Sequence, residues 1–233
     1  MDYIPDETAA VRERYARRPA GEWRYHPLNP SALAMAQERE RGIARLLREH
    51  GWRDPSNCRL LEVGSGSGGN LLQMLRLGFQ PEHLAGIELL GERHAQARAL
   101  LPEAVSLLQG DATRAAVAEA SQDIVLQVTV FSSLLDDAFQ QRLADAMWRW
   151  LKPGGAVLWY DFSVDNPRNR DVRGVPLARV RALFPKAGAV QHRRVTLAPP
   201  IARTVTLLHP ALYTVFNSLP PLRTHLLAWI QKP

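Results

Sequence analysis

Cysteine is almost missing from this 233-residue chain; Cys58 is the only one. A lone thiol cannot close an internal disulfide, so a cross-linked secreted scaffold is excluded. Cys58 stands where a first strand begins, is expected to be a structural thiol, and points to the cytoplasm. Lysine is nearly as scarce: Lys152, Lys186 and Lys232 are the only three among 29 basic residues, and the other 26 are arginine. The net charge of +6 and the pI near 10.0 would suit nucleic acid or a membrane surface. The arginines are spread along the chain rather than packed in one block, and a GC-rich coding sequence produces the same bias. A nucleic-acid partner is therefore not the leading expectation. Long hydrophobic runs are missing too. None approaches the ~18 uninterrupted apolar residues of a transmembrane helix. The start, Met1-Asp2-Tyr3-Ile4-Pro5-Asp6-Glu7, lacks the charged-then-apolar pattern of a secretory signal. There is no internal repeat, no low-complexity tract and no expected metal site.

What is present is enough apolar matter for a sizeable core: 46% of residues are hydrophobic. The expected division is an N-terminal helical cap over residues 1–50 and one main domain over 51–233. In the cap, Val11 to Arg18 reads as helix broken at Pro19, and Ser31 is expected to cap a second helix running to His50. Its apolar stripe would be Leu33, Ala36, Ile43, Leu46 and Leu47. Between the two helices, Trp23 to Pro30 is an aromatic, proline-rich loop. Tyr15, Tyr25 and His26 are candidates for cofactor or acceptor contact, although packing the cap onto the domain is the stronger reading of each.

From the turn-rich junction Gly51 to Asn57 onward, strands alternate with helices. The expected strands are Leu60 to Val63, His83 to Leu89, Ala104 to Leu108, Asp123 to Val130 and Ala156 to Tyr160. Helices are expected over Asn70 to Leu77, Glu92 to Leu100 and Asp137 to Leu151, the last closed by a Lys152-Pro153-Gly154-Gly155 turn. That rhythm predicts an α/β fold with a parallel sheet covered on both faces. The final third changes character: a helix over Pro176 to Phe184, a strand over Val190 to Leu197, a split helical segment over Ile201 to Leu219, and a last strand over Leu226 to Lys232.

The organising stretch is Leu60-Leu61-Glu62-Val63-Gly64-Ser65-Gly66-Ser67-Gly68-Gly69-Asn70. A buried strand runs into glycines that can take φ > 0 and leave bare backbone for a ligand. The helix that follows offers unpaired N–H groups and a positive dipole end to an anion. The spacing G-x-G-x-x-G is shared by several kinds of nucleotide binder. Glu88, ending the second strand, can accept both hydroxyls of a ribose. Asp111, ending the third, can meet an adenine amino group.

Taken in this order, with the Lys-Pro-Gly-Gly turn and the terminal strand, these motifs resemble the class I S-adenosylmethionine-dependent methyltransferases over about Arg59 to Lys232. The resemblance implies a Rossmann-like seven-stranded sheet whose last strand is antiparallel, with S-adenosyl-L-methionine as cofactor. It implies that Glu62, Gly64, Ser65, Gly66, Gly68 and Asn70 hold the methionine part, Glu88 and Leu89 the ribose, Asp111 and Ala112 the adenine, and Gln127 the methionyl group. It also places Ser132 and Ser133 beside the acceptor and Asp161 as a base or orienter, with His26 able to reach the same opening from the cap.

The loop Asn166 to Gly174, with its amides, acid and arginines, suits a polyol bearing carboxylate or phosphate. The strings Trp159-Tyr160-Asp161-Phe162, Asp165 to Asn169 and Thr196 to Arg203 are similar to small bacterial methyltransferases of glycan and polysaccharide assembly. That likeness implies O-methylation of a sugar, a glycan (including a lipid-linked one) or another small polar metabolite. The apolar segment Val205 to Tyr213 is expected to be a lid or a homodimer face, with a greasy substrate or membrane surface as the alternative. Three other functions stay open: RNA methylation, a non-catalytic cofactor-binding partner subunit, and a nicotinamide-dependent oxidoreductase.

Overall fold

The computed structural model describes residues 6–17, 23–167 and 169–233. The expected break at Pro19 and Arg168 of the polar loop lie outside the described residues. Seven strands form one sheet: β1 (Leu60–Val63), β2 (Leu84–Glu88), β3 (Ser106–Gln109), β4 (Gln122–Val128), β5 (Leu151–Phe162), β6 (Ala189–Leu197) and β7 (Arg223–Gln231). Their order is β3-β2-β1-β4-β5-β7-β6, and β7 runs antiparallel to both its neighbours. The expected sheet with an antiparallel last strand is what the chain forms.

Among the described residues, eight α-helices cover it: α1 (Glu7–Ala16), α2 (Pro30–Glu49), α3 (Gly69–Arg76), α4 (Gly91–Leu100), α5 (Asp137–Trp150), α6 (Leu177–Leu183), α7 (Pro199–Leu208) and α8 (Ala211–Asn217). Successive residues of a strand point to opposite faces, so each buried strand feeds two cores. Leu61, Val125, Val157 and Trp159 pack with Leu143, Met147 and Trp150 of α5 on one face. Leu60, Ile124 and Leu158 pack with Ile43, Leu46 and Leu47 of α2 and Leu71 and Met74 of α3 on the other. Cys58 is buried in this second core, and burial, followed by the nearby Asp123 carboxylate, pushes its thiol up to about 12, as a structural thiol requires.

Local differences from the sequence reading have local causes. Asn29, not Ser31, caps α2: its Oδ1 accepts from the N–H groups of Ser31 at 3.0 Å and Ala32 at 3.3 Å. Pro30 then takes the first helical position, where a missing N–H costs nothing. Leu33 is 46% exposed and drops out of the stripe, which consists of Ile43, Leu46 and Leu47. The Lys152-Pro153-Gly154-Gly155 segment does not separate α5 from β5 but lies within the strand. Leu151 already pairs with Gln122, and the register shift between Gln122 and Ile124 absorbs the extra residues as a bulge. β7 begins at Arg223, three residues before the expected Leu226, because Arg223 still pairs with Leu197 of β6 and His225 with Val195 of β6 and Phe162 of β5. β3 begins late, at Ser106, since the N–H of Val105 is committed to a turn with the Pro102 carbonyl.

Candidate active site

The strand order reverses direction between β1 and β4, which opens a crevice at the carboxyl ends of the strands. The glycine turn fills its floor. Gly64, Gly66 and Gly68 have φ of +65°, +56° and +86°, which L side chains rarely adopt. Gly68 also ends the turn as the N-cap of α3, with no side-chain cap, so the first N–H groups of that helix stay available.

Behind the turn is a hydrogen-bonded chain of three side chains. Glu62 is fully buried, and its Oε1 accepts from Asn70 Nδ2 at 2.6 Å. Asn70 Oδ1 accepts in turn from Arg39 Nη2 at 2.8 Å. Glu62 Oε2 and Arg39 Nε are both buried without a hydrogen-bond partner. Burial pushes the Glu62 carboxyl up to about 8; Asn70 and Arg39 pull it down and Glu88 pushes it further up. A buried carboxylate oxygen with no donor, beside a buried guanidinium N–H with no acceptor, is a costly arrangement for the chain by itself. A ligand carrying an ammonium and a carboxylate would satisfy both. Arg39 lies some thirty residues before the turn on a different helix, and no local signal marks it in the sequence.

Gly64, Glu88, Leu89, Asp111 and Ala112, five of the expected cofactor residues, line one cavity. Glu88 Oε2 accepts from the Gly66 N–H and its Oε1 from the Leu90 N–H, each at 2.8 Å, so the acid ties β2 to the glycine turn and keeps spare lone pairs. Asp111 Oδ1 caps the turn after β3 by accepting from the N–H and hydroxyl of Thr113, both at 2.8 Å. Ser65, Gly66, Gly68, Asn70, Glu62 and Gln127 are not among the lining residues. Gln127 faces inward: its Oε1 accepts from the Val130 N–H at 3.1 Å and its Nε2 donates to the Tyr160 carbonyl at 3.4 Å. The side chain thereby shapes the exit of β4. There Thr129 has φ +57°, a strained conformation for a β-branched residue, and Thr129 and Val130 line the cavity.

Helix α1 contributes Thr8, Val11 and Tyr15 to the same lining, and Arg93 of α4 stacks over the Tyr15 ring at 4.6 Å. The helix is held by a buried ion pair. Arg14 Nη2 donates to Glu7 Oε1 at 2.6 Å and to the Ser133 carbonyl at 3.0 Å, while Glu7 accepts from the Leu135 N–H at 2.8 Å. Replacing Arg14 with alanine should strand Glu7 and release α1 from the cavity at a cost of about 3 kcal/mol. Hydrogen exchange should show faster exchange across residues 7–16 with β1 and β4 unchanged; unaltered protection of α1 would refute this latch.

Of the three candidate catalytic groups, Asp161 and Ser132 are brought together and His26 is not. Asp161 is fully buried, and its Oδ2 accepts from the Ser132 N–H at 3.1 Å and its Oδ1 from the Phe162 N–H at 2.8 Å. Burial raises its carboxyl to about 6 against those hydrogen bonds. Ser132 is buried in the same turn. His26 is exposed, accepts from the Leu28 N–H at 3.1 Å and stacks on Trp23 at 5.1 Å, away from the cavity lining. Tyr25 is 70% exposed. In the polar loop, Arg173 pairs with Asp137 and Asp171 with Arg17, which ties the loop to α5 and α1.

A second polar group lies beside Arg39, and sequence reasoning did not single it out. The Arg39 guanidinium lies 5.4 Å from the centre of the Tyr160 ring. Tyr160 shares a 2.8 Å hydrogen bond with the Thr196 hydroxyl and stacks on His225 at 4.9 Å. These residues come from α2, β5, β6 and β7, so only the assembled sheet brings them together.

The comparisons bear on this geometry. A family profile described as "Methyltransferase domain" matches residues 61–159, the segment carrying the glycine turn, Glu88 and Asp111. These residues form a methyltransferase domain. The enzyme is of the S-adenosylmethionine-dependent class, with S-adenosylmethionine as its cofactor. A search of curated proteins finds no match. Solved structures share the methyltransferase's fold. The [4+2]-cyclase SpnF superposes with a TM-score of 0.62 at 16% identity, over 84% of this chain and 82% of that one. An S-adenosylmethionine-dependent methyltransferase from Mesorhizobium loti gives 0.58 at 16% identity, over 83% and 100%. One from Archaeoglobus fulgidus gives 0.58 at 12% identity, over 86% and 98%.

Proposed function

We propose that this methyltransferase methylates a hydroxyl of a sugar, glycan or other small polar metabolite. The observation that supports the reading is a buried polar cluster, Tyr160, Thr196 and His225, joined through Arg39 and Asn70 to Glu62 behind the glycine turn. Burial, followed by the Arg39 charge, lowers the His225 imidazole to about 3, so it is neutral at working pH. Burial pushes the Tyr160 hydroxyl up to about 12, so it remains a donor. Neutral donors and acceptors of this kind suit hydroxyl groups.

Bound S-adenosylmethionine supplies a methyl group already activated on a sulfonium. In this reading Glu62 Oε2 would hold the ammonium of the methionine part, and Arg39 Nε with the α3 N–H groups its carboxylate. Glu88 would hold the ribose hydroxyls, and Asp111 with Ala112 would border the adenine. The remaining work of the chain is alignment and exclusion of water. Helix α1 narrows the cavity from the N-terminal cap, and Asp161 positions the Ser132 turn beside it.

The test has two arms. Calorimetry should detect S-adenosylhomocysteine binding and none for a nicotinamide dinucleotide; the reverse would overturn the reading. The purified chain alone should then release S-adenosylhomocysteine when given polyols and sugar conjugates. Release with RNA only would favour the second reading, RNA methylation, which the net charge of +6 supports. That reading requires RNA affinity that falls steeply with salt. Cofactor binding without turnover on any acceptor would leave a partner subunit as the function.

A further inference from the structure

The hairpin of α7 and α8 has an outer surface that its packing does not use. Its inner side is committed: Ala202, Val205 and Tyr213 are buried with Leu197, and Ala34 and Met35 of α2 pack on them. Its outer side carries Leu207 at 80% exposure and Leu208 at 76%, with Val215, Phe216 and Leu219 also exposed. Isolated apolar side chains are ordinary on a protein surface, but five within one hairpin and its exit are not.

Charge is arranged around this patch. From Thr204 to Leu222 the chain has no aspartate, glutamate, lysine or arginine, although charged residues make up 22% of it. Arg203 and Arg223 bound the stretch on either side. Just before α2, whose N-terminal half packs on α7, Trp23, Tyr25 and Leu28 are exposed as well. Exposed leucine, tryptophan and tyrosine with arginine at the margin is the composition that settles at a lipid headgroup boundary. No helix among the described residues is long and apolar enough to cross a membrane, so this surface would lie on a bilayer rather than span it.

We propose that the α7–α8 hairpin docks on an anionic lipid bilayer, with Leu207 and Leu208 entering the headgroup–acyl boundary and Arg203, one turn before Leu207 on α7, facing anionic headgroups. Charge complementarity selects this occupant over a second copy of the chain. Two copies meeting across the patch would bring arginine rim against arginine rim, with no acid in the patch to offset it. The hairpin also connects with the site. Glu38 of α2 accepts from Tyr213 of α8 at 2.6 Å, from Asn217 at 2.7 Å and from the Thr196 N–H at 3.0 Å, and its neighbour Arg39 reaches Asn70. A docked hairpin would hold the α2 residues Glu38 and Arg39, and with them the methyl-transfer site, near the bilayer and an acceptor on a lipid carrier. That consequence rests on the methyl-transfer reading; the docking does not.

The experiment is co-sedimentation of the full chain with vesicles of phosphatidylcholine alone and of equal parts phosphatidylcholine and phosphatidylglycerol. The chain should pellet with the anionic vesicles, less with the neutral ones, and less as salt rises. Leu207→Ser with Leu208→Ser should lower the partition coefficient about ten-fold or more. The melting temperature and S-adenosylhomocysteine affinity of the double variant should match the parent. Arg203→Glu should remove the preference for the anionic vesicles. No pelleting with either vesicle, or equal pelleting of the double variant, would overturn the proposal. So would a dimer, seen by light scattering, that the double substitution dissolves, because a second copy would then cover the patch.

Discussion

Glu62→Gln should weaken S-adenosylmethionine binding about 100-fold, close to 3 kcal/mol, while leaving the ligand-free protein at least as stable as the parent. The two effects separate because the carboxylate is poorly served by its own protein. It is fully buried, takes one hydrogen bond from Asn70, and leaves Oε2 without a partner. Burial holds its pKa near 8, above the ordinary 4.5. Between those values the folded, ligand-free chain keeps a proton that the unfolded chain has lost. The stability Glu62 contributes is therefore complete below about pH 4.5 and is lost as pH rises through about 8. Glutamine cannot ionise, so the variant should lose that slope in its denaturation midpoints. An ammonium at Oε2 favours the ionised form, so cofactor binding near pH 7 should release a proton in the parent and not in the variant. Calorimetry in buffers of different ionisation enthalpy measures this directly. Parent-like affinity in Glu62→Gln would refute the assignment.

Gly64→Ala should cost about 3 kcal/mol of stability and lower the melting midpoint by roughly 6–10 °C. Two costs combine. The backbone at Gly64 has φ +65°, and an added Cβ would stand 2.6 Å from Val130 Cγ2. Val130 lines the cavity proposed for the cofactor, so relief of the clash displaces cavity wall and should weaken S-adenosylhomocysteine binding as well. Gly154→Ala is the control: its φ is +76°, with nothing within 4 Å, so it should show only the backbone cost of about 1 kcal/mol. Equal melting midpoints for the two variants would show that the Val130 contact yields freely, contrary to the expectation.

Part of the cavity lining was readable in advance because it lies where strands end. A parallel strand buried on both faces must be a continuous apolar run, and the residue that breaks the run at its carboxyl end faces the crevice. Glu88 and Asp111 stand at and just past the ends of β2 and β3 and line the cavity, whereas Glu62 lies inside the buried β1 and does not. Gln127 shows where that logic stops. It ends a run as well, yet its side chain turns inward to Val130 and the Tyr160 carbonyl, because the turn after β4 leaves those backbone groups in need of partners.

By itself, then, the sequence determined the strand rhythm, the glycine turn and the acids around it, all of which depend on residues close together in the chain. The tertiary structure alone decided the rest. Arg39 reaches Asn70, and through it Glu62, only because α2 packs on the face that carries α3. Helix α1 lines the cavity only because a buried Glu7–Arg14 pair fixes it to the turn after β4. Tyr160, Thr196 and His225 meet only because β7 inserts antiparallel between β5 and β6. Each of these contacts joins segments far apart in the chain, and local periodicity holds no information about which faces will meet once the sheet assembles.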